Sequence, residues 1–397
     1  MLSLAQITCR RKLLGFAARL LTIVYLSSCA VPLAPTRPAP PAPLAVSDDL
    51  DADSLRTAIR HSLAYLQKLT PERVVGEQPR RLTAKDLVDS LQAFEKLLTH
   101  WHCPVCLNRE IGARFELVPS SADAESAEVL FTGYYQPVID GSLVPTEVYR
   151  FPLYGKPADL ATAPGEDGEN NAGRIEQGKL LPYYSRQQID ELGALKGRGL
   201  EIAWVKDPIE VFFLHIQGSG IIRLPDGAEL SVGYAAQNGW PYRSIGRLLI
   251  DNGQIAKEEM SMQRLRRYLA DNPHQQSEIF AYNESYVFFR VNPVGPLGSL
   301  EVPVTAGRSI ATDGRIFPKG ALALMQTEIP IIDAAGQLAG WRPITRFVLN
   351  QDTGGAIRGF RRADYYFGTG AAAGDMAGYM NRPGKLFFLA LKNQASP

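Results

Sequence analysis

Two carboxylates, Asp352 and Asp364, stand in the glycine-rich segment NQDTGGAIRGFRRADYYFGTGAAAGDMAG, residues 350–378. Glycine lets a backbone turn tightly and lets a ligand come close, so a carboxylate here can meet a substrate with little bulk around it. Asp352 follows the apolar run Phe347-Val348-Leu349, and Asp364 precedes Tyr365, Tyr366 and Phe367. A carboxyl taken out of water holds its proton more tightly and becomes a usable acid. Glycoside cleavage commonly uses two such groups, one as acid and one as base or nucleophile. A given Asp among 41 acidic residues is ordinarily solvated or capping a helix; the setting is what singles out these two.

Other chemistries have weaker signals. The five histidines are His61, His100, His102, His215 and His274, and none has metalloprotease spacing. His215 lies in the apolar run Val211–Ile216 and reads as a core residue. No Gly-x-Ser-x-Gly elbow is present, and the glycines from Gly368 to Gly378 lack the Gly-Lys-Ser/Thr of a phosphate loop. His100, His102, Cys103 and Cys106 fall within seven residues, too crowded for the usual two-pairs-apart zinc site. A local disulfide, plain packing, free thiols and a metal or redox role all stay open for Cys103 and Cys106.

The N-terminus reads as an export leader. Arg10, Arg11 and Lys12 precede an apolar run that reaches Leu26-Ser27-Ser28-Cys29. That ending resembles a bacterial lipobox, which implies cleavage after residue 28 and acylation of Cys29. An ordinary signal peptide or a single anchor helix is the alternative, though the run is short for a membrane span. Ala30 after the Cys implies sorting to the outer membrane, at its periplasmic face. Removing 1–28 takes four cations and no anion, so 42 against 41 becomes 38 against 41, a net charge of −3. A nucleic-acid partner calls for a basic footprint, and none remains. Six prolines in residues 32–43 make a stiff spacer within a linker spanning 29–46.

The elements that must position the two aspartates follow. Leu55, Ile59, Leu63, Leu66 and Leu69 recur at helical spacing. Thr83 and Asp86 form a capping box opening a helix with Leu87, Leu91, Phe94 and Leu98 on one face. From about Val129 the texture is strand-like. Residues 221–224 and 228–232 flank Pro225-Asp226-Gly227 and predict a hairpin. Further strands are expected at 210–216, 286–291, 301–304, 345–349 and 386–391, helices near 241–251 and 257–271, and a loop at 163–178.

Several blocks, in order, are FTGYYQPVIDGS (131–142), LPYYSRQQID (181–190), DPIEVFFLHIQGSG (207–220), VGYAAQNGWPYRSIGRLLIDNG (232–253), GPLGSLEVPVTAGRSIATDGRIFPKG (295–320) and 350–378. Together they resemble the membrane-bound lytic murein transglycosylase A family. One departure is Leu297-Gly298-Ser299-Leu300, where that family often has a polar residue after the Ser. The resemblance implies a mainly β protein with some helices: a double-psi β-barrel domain from 47–144 and 291–397, carrying the N-terminal helices, and a smaller β-barrel domain inserted at 145–290. It implies cleavage of the MurNAc–GlcNAc bond of peptidoglycan without water, leaving 1,6-anhydroMurNAc ends. Asp364 would act as acid and then base, with Asp352 in support, and no metal or cofactor is implied. Asp313, Asp352 and Asp364 match the three aspartates that name the 3D domain, and Asp313 is placed with the substrate-binding residues. Thr132, Tyr134, Gln217, Gly218 and Ser219 are candidates to line a groove for a glycan strand, although their glycine neighbours could simply make turns. The implied partners are that strand and the outer membrane, with other cell-wall enzymes as candidates. A non-catalytic peptidoglycan-binding lipoprotein and a water-using muramidase are the competing readings.

Overall fold

The computed structural model describes residues 46–120, 128–164, 170–293, 295–355 and 357–392. Cys29, the expected leader and the proline run lie outside them. The first helix, Ala52–Leu66, opens where the Asp51 carboxylate accepts from the Ser54 N–H at 2.6 Å, and it buries Leu55, Ile59, Leu63 and Leu66. The second, Ala84–Leu97, starts with the anticipated capping box, Thr83 and Asp86 each bonding the other's backbone. Cys103 and Cys106 are joined as a disulfide, their Cα atoms 5.2 Å apart, across the first turn of a helix at Pro104–Arg114.

These helices pack on a barrel of six strands: β1 (Glu128–Gln136), β2 (Ser309–Ala311), β3 (Leu322–Ile332), β4 (Leu338–Asp352), β5 (Arg362–Thr369) and β6 (Asn381–Leu391). Their spatial order is β3-β4-β2-β5-β1-β6, and β6 returns to pair with β3, with Ala323 opposite Phe388. That closure leaves no free edge among the six. Two pairings are parallel, β2 with β4 and β5 with β1; the others are antiparallel. The result is the double-psi β-barrel expected from the sequence. Phe131, Phe347, Ala363, Tyr365 and Phe388 fill one core with the buried faces of the first two helices.

β1 leads through Pro137 into a second sheet. Its order is Val287–Val291, Glu229–Gln237, Ser219–Arg223, Val138–Ser142, Glu201–Val205 and Phe151–Tyr154. A bridge between Gly155 and Phe289 brings its two edges together. The strand Val138–Ser142, which a boundary at 144/145 would leave with the first barrel, pairs within this second sheet.

Three expectations need correction. Residues 210–216 are not a strand but part of a helix, Pro208–Gln217. Asp207 caps it by accepting from Ile209 N–H at 2.8 Å, and Gly218 ends it at φ 75°. The run is apolar all round because opposite faces are buried: Ile209, Phe212 and Phe213 join one cluster, Val211 and Leu214 another. Residues 301–304 form no strand, only a bridge between Leu297 and Pro303. The stretch expected as a loop at 163–178 holds strands Ala161–Pro164 and Asn170–Glu176, the latter also paired with Lys179–Leu181. The late helices are shorter than expected, Ile245–Asp251 and Met262–Asp271.

Candidate active site

The short strand β2 brings the two aspartates together. Ala311 pairs in parallel with Asp352 at the end of β4 and in antiparallel with Asp364 in β5. Asp364 pairs with Thr132 of β1, and Thr132 with Asn381 of β6. Partners directly opposite each other point to the same face of a sheet, so Asp352, Ala311, Asp364, Thr132 and Asn381 form a row across five strands. The backbones of the two aspartates are two strand spacings apart, about 10 Å, with only the methyl group of Ala311 between them.

Neighbours along β5 point the other way. Ala363 and Tyr365 are fully buried, whereas the Asp364 side chain keeps 17% of its surface exposed. One oxygen, Oδ1, accepts a short hydrogen bond from the Thr132 hydroxyl and a second from Arg362 Nε at 3.2 Å. Arg362 also reaches the Thr132 hydroxyl at 3.4 Å. The other oxygen, Oδ2, has no hydrogen-bond partner among the described residues.

Asp352 sits differently. Its Oδ1 accepts from the Ser299 N–H at 2.9 Å and the Thr353 N–H at 2.8 Å. Ser299 can approach because Gly298 has no side chain: a Cβ there would lie 2.5 Å from the Gln351 carbonyl. The Asp352 side chain keeps a partly exposed edge, but protein surrounds the carboxyl. Burial pushes its pKa up to about 6, against the pull of the two N–H groups and with help from the charge of Asp364. The Tyr134 hydroxyl lies close enough to the Asp352 carboxyl to interact with it electrostatically, although it makes no well-aligned hydrogen bond among the described residues. Burial, then the charge of Asp352, raises its pKa well above the usual phenol value. Tyr134 is therefore a neutral phenol beside the Asp352 carboxyl, its ring 5.0 Å from that of Tyr366.

Asp313 is fully buried and has no surface to offer a ligand. Its carboxylate accepts from Arg315 Nε at 3.0 Å and Nη at 2.8 Å, and from the Gly359 N–H at 2.9 Å. Burial alone would raise its pKa, but these bonds outweigh it and hold it down to about 2. Asp313 thus fastens the connection between Asp352 and Asp364 to the barrel. Gln217 Oε1 accepts from the Tyr135 N–H at 3.1 Å, which ties the helix Pro208–Gln217 to β1. Gly218 is that helix's left-handed cap and Ser219 begins the next strand, opposite Gly233.

Sequence reasoning missed two neighbours. Arg362 bonds Asp364 directly, and its only signal was a cation two residues before the acid on the same strand face. Tyr242, contributed by the second lobe and 39% exposed, feels the charges of Arg362 and Asp364, after burial and a bond with Ser244. Its signal was an aromatic in the Asn-Gly-Trp-Pro-Tyr turn, outside any regular element.

Comparison with known proteins adds to this geometry. Residues 130–290 match the family described as MltA specific insert domain, and residues 308–390 match the 3D domain. The chain is 32% identical over 272 residues to membrane-bound lytic murein transglycosylase A of Vibrio cholerae, covering 68% of this chain and 67% of that protein. It is 34% identical over 266 residues to the Escherichia coli K12 protein of the same name, covering 66% and 65%. Among solved structures, a membrane-bound lytic murein transglycosylase from Agrobacterium tumefaciens superposes with TM-score 0.71 at 31% identity, over 86% of this chain and 93% of that one. E. coli MltA with bound chitohexaose superposes with TM-score 0.64 at 27% identity, over 84% and 89%.

Proposed function

The chain belongs to the membrane-bound lytic murein transglycosylase A family, and we propose that it is an enzyme cleaving the β-1,4 bond between MurNAc and GlcNAc in peptidoglycan. The cut consumes no water. Asp364 gives its proton to the glycosidic oxygen, and the bond from that oxygen to C1 of MurNAc breaks. The Asp364 carboxylate then takes the proton of the MurNAc C6 hydroxyl, whose oxygen bonds to C1 and closes a 1,6-anhydro ring. One group serves as acid and then base, and the intramolecular nucleophile needs no second carboxylate or activated water.

The carrying observation is the division of labour within the Asp364 carboxyl. Thr132 and Arg362 hold Oδ1, which fixes the group's orientation, while Oδ2, without a hydrogen-bond partner among the described residues, carries the proton that moves. Tyr134, Tyr242 and Asp352 lie near enough to feel the charge of Asp364, and the buried Tyr134 phenol braces Asp352 rather than meeting the sugar. The relative solved with chitohexaose supports a glycan strand as the ligand. Asp313 serves as a positioning residue, and Gln217 through Ser219 shape the junction with the second lobe. Lipidation at Cys29 and residence on the periplasmic face of the outer membrane belong to the same reading.

A second assignment has one specific observation in its favour. The pKa of Asp352, about 6, is that of a group still partly protonated near neutral pH, as a general acid should be. The test is single-turnover cleavage of murein by Asp364→Asn and Asp352→Asn across pH 4–8. Under the favoured assignment only Asp364→Asn slows the chemical step by roughly 10²–10⁴-fold at every pH. If Asp364→Asn keeps near-normal turnover and Asp352→Asn has none, the roles are exchanged.

A further inference from the structure

A cavity of about 770 Å³ opens in the second lobe, and neither Asp352 nor Asp364 lines it. That volume is within the usual range for a ligand pocket. Its innermost wall is Arg186, a cation only 2% exposed. The guanidinium is stacked between the rings of Phe212 and Tyr286, 4.8 and 5.0 Å away. It donates to the carbonyls of Asn283 at 2.9 Å and Ser285 at 2.7 Å, and to His215 Nδ1 at 3.0 Å. Burial and the charge of Arg186 keep His215 neutral, so its ring nitrogen can accept. Among the described residues the carboxylate that faces this buried charge is Asp190, 3.6 Å away and 41% exposed at the opening.

The rest of the wall carries charge of both signs without ion-pair partners among the described residues. Arg150, Lys196 and Glu201 line the cavity, and none of them makes a salt bridge among the described residues. Arg150 only covers the ring of Phe151, at 5.6 Å. Glu201 and Asp190 both act on Tyr154, whose pKa burial and these two charges push up to about 12; they form one acidic side. A neutral sugar strand has no use for opposed unpaired charges. A short peptide with a free carboxylate and a free ammonium has use for both, and its apolar parts match the aromatic wall.

We propose that this cavity binds the peptide stem of murein: an ammonium group at Asp190 and Glu201, a carboxylate at Arg150 and Lys196. The proposal rests on the function argued above, because murein strands carry such peptides. It gives the second lobe a role in choosing which strands are cut.

The test is calorimetric titration of the full mature chain carrying Asp364→Asn, so that binding is read without turnover. The probes are the sugar-free tetrapeptide L-Ala–D-Glu–diaminopimelate–D-Ala and, separately, chitohexaose. Glu201→Gln and Lys196→Met, both changes at accessible side chains, should each weaken tetrapeptide binding roughly tenfold or more and leave chitohexaose binding unchanged. With Asp364 restored, both should cut peptide-free glycan at the parent rate. Tetrapeptide affinity unmoved by both changes overturns the proposal. So does chitohexaose affinity that falls in step, which would mark a sugar subsite. Failure of the parent enzyme to cut any glycan counts against the proposed function, since the binding comparison is read independently of it.

Discussion

Asp364 and Asp352 are alike in sequence setting and unlike in the folded chain. One is held at a single oxygen by a hydroxyl and a guanidinium; the other is held by backbone N–H groups beside the buried phenol of Tyr134. Asp364→Asn keeps the shape and the Thr132 contact but removes the transferable proton. Its turnover should fall by roughly 10²–10⁴-fold, with glycan binding nearly unchanged; turnover within a few-fold of the parent would contradict the assignment. Asp352 makes a separate prediction through linkage. The folded protein, with a pKa of about 6, binds this proton more tightly than the unfolded chain. Asp352 therefore favours folding most at low pH, and that contribution is lost as pH rises through about 6. Asp352→Asn removes the dependence. Its melting temperature relative to the parent should climb from pH 4 to pH 7, by an amount equivalent to on the order of 2 kcal/mol; a flat difference would show that the carboxyl is not held protonated. Both aspartates were legible in the sequence through their glycine and aromatic setting. Arg362 and Tyr242 were not, because only strand register and a turn from the other lobe bring them near.

The elements around the site succeed or fail by how closely they approach. Gly133, in β1 beside Thr132, would carry a Cβ 2.7 Å from the Ala377 Cα and 2.8 Å from the Phe367 ring. Gly133→Ala must push the helix Ala371–Tyr379 away from the barrel. We expect a loss of about 1–3 kcal/mol in denaturant unfolding and a fall in turnover through displaced Thr132. Asp313 acts on the other side. Its bonds to Arg315 and Gly359 hold the connection from β4 to β5, so Asp313→Asn should cost about 1–3 kcal/mol at pH 7. The sign here is opposite to that of Asp352. With a folded pKa of about 2, the contribution is present above pH 4 and is lost as pH falls toward 2. Stability of the Asn variant equal to the parent at pH 7 would contradict this role. The helix Pro208–Gln217 shows where local reading stops. A short apolar run fits a buried strand or a buried helix equally well. The deciding marks were at its ends, Asp207-Pro208 and Gly218, which are helix start and stop signals.

At the scale of the molecule, helices and hairpins could be read from period and turn residues, but the barrel's closure could not. β2 is three residues long, yet it sits between β4 and β5 and aligns both aspartates. Pairings such as Ser309 with Leu349 and Asp364 with Thr132 join distant parts of the chain, and no local pattern encodes them. Only the resemblance of the ordered blocks anticipated the architecture. The ends of the chain make their own prediction. If Cys29 is acylated, labelled fatty acid enters the protein and Cys29→Ala releases it from membranes; a variant that stays membrane-bound, with no label in the parent, would show a different anchor. The central claim is that the sugar itself, not water, closes the reaction. Murein digested in oxygen-18 water should give fragments ending in 1,6-anhydroMurNAc, lighter by one water than hydrolytic products and free of label. Reducing MurNAc ends carrying oxygen-18 would contradict the account and make the enzyme a muramidase.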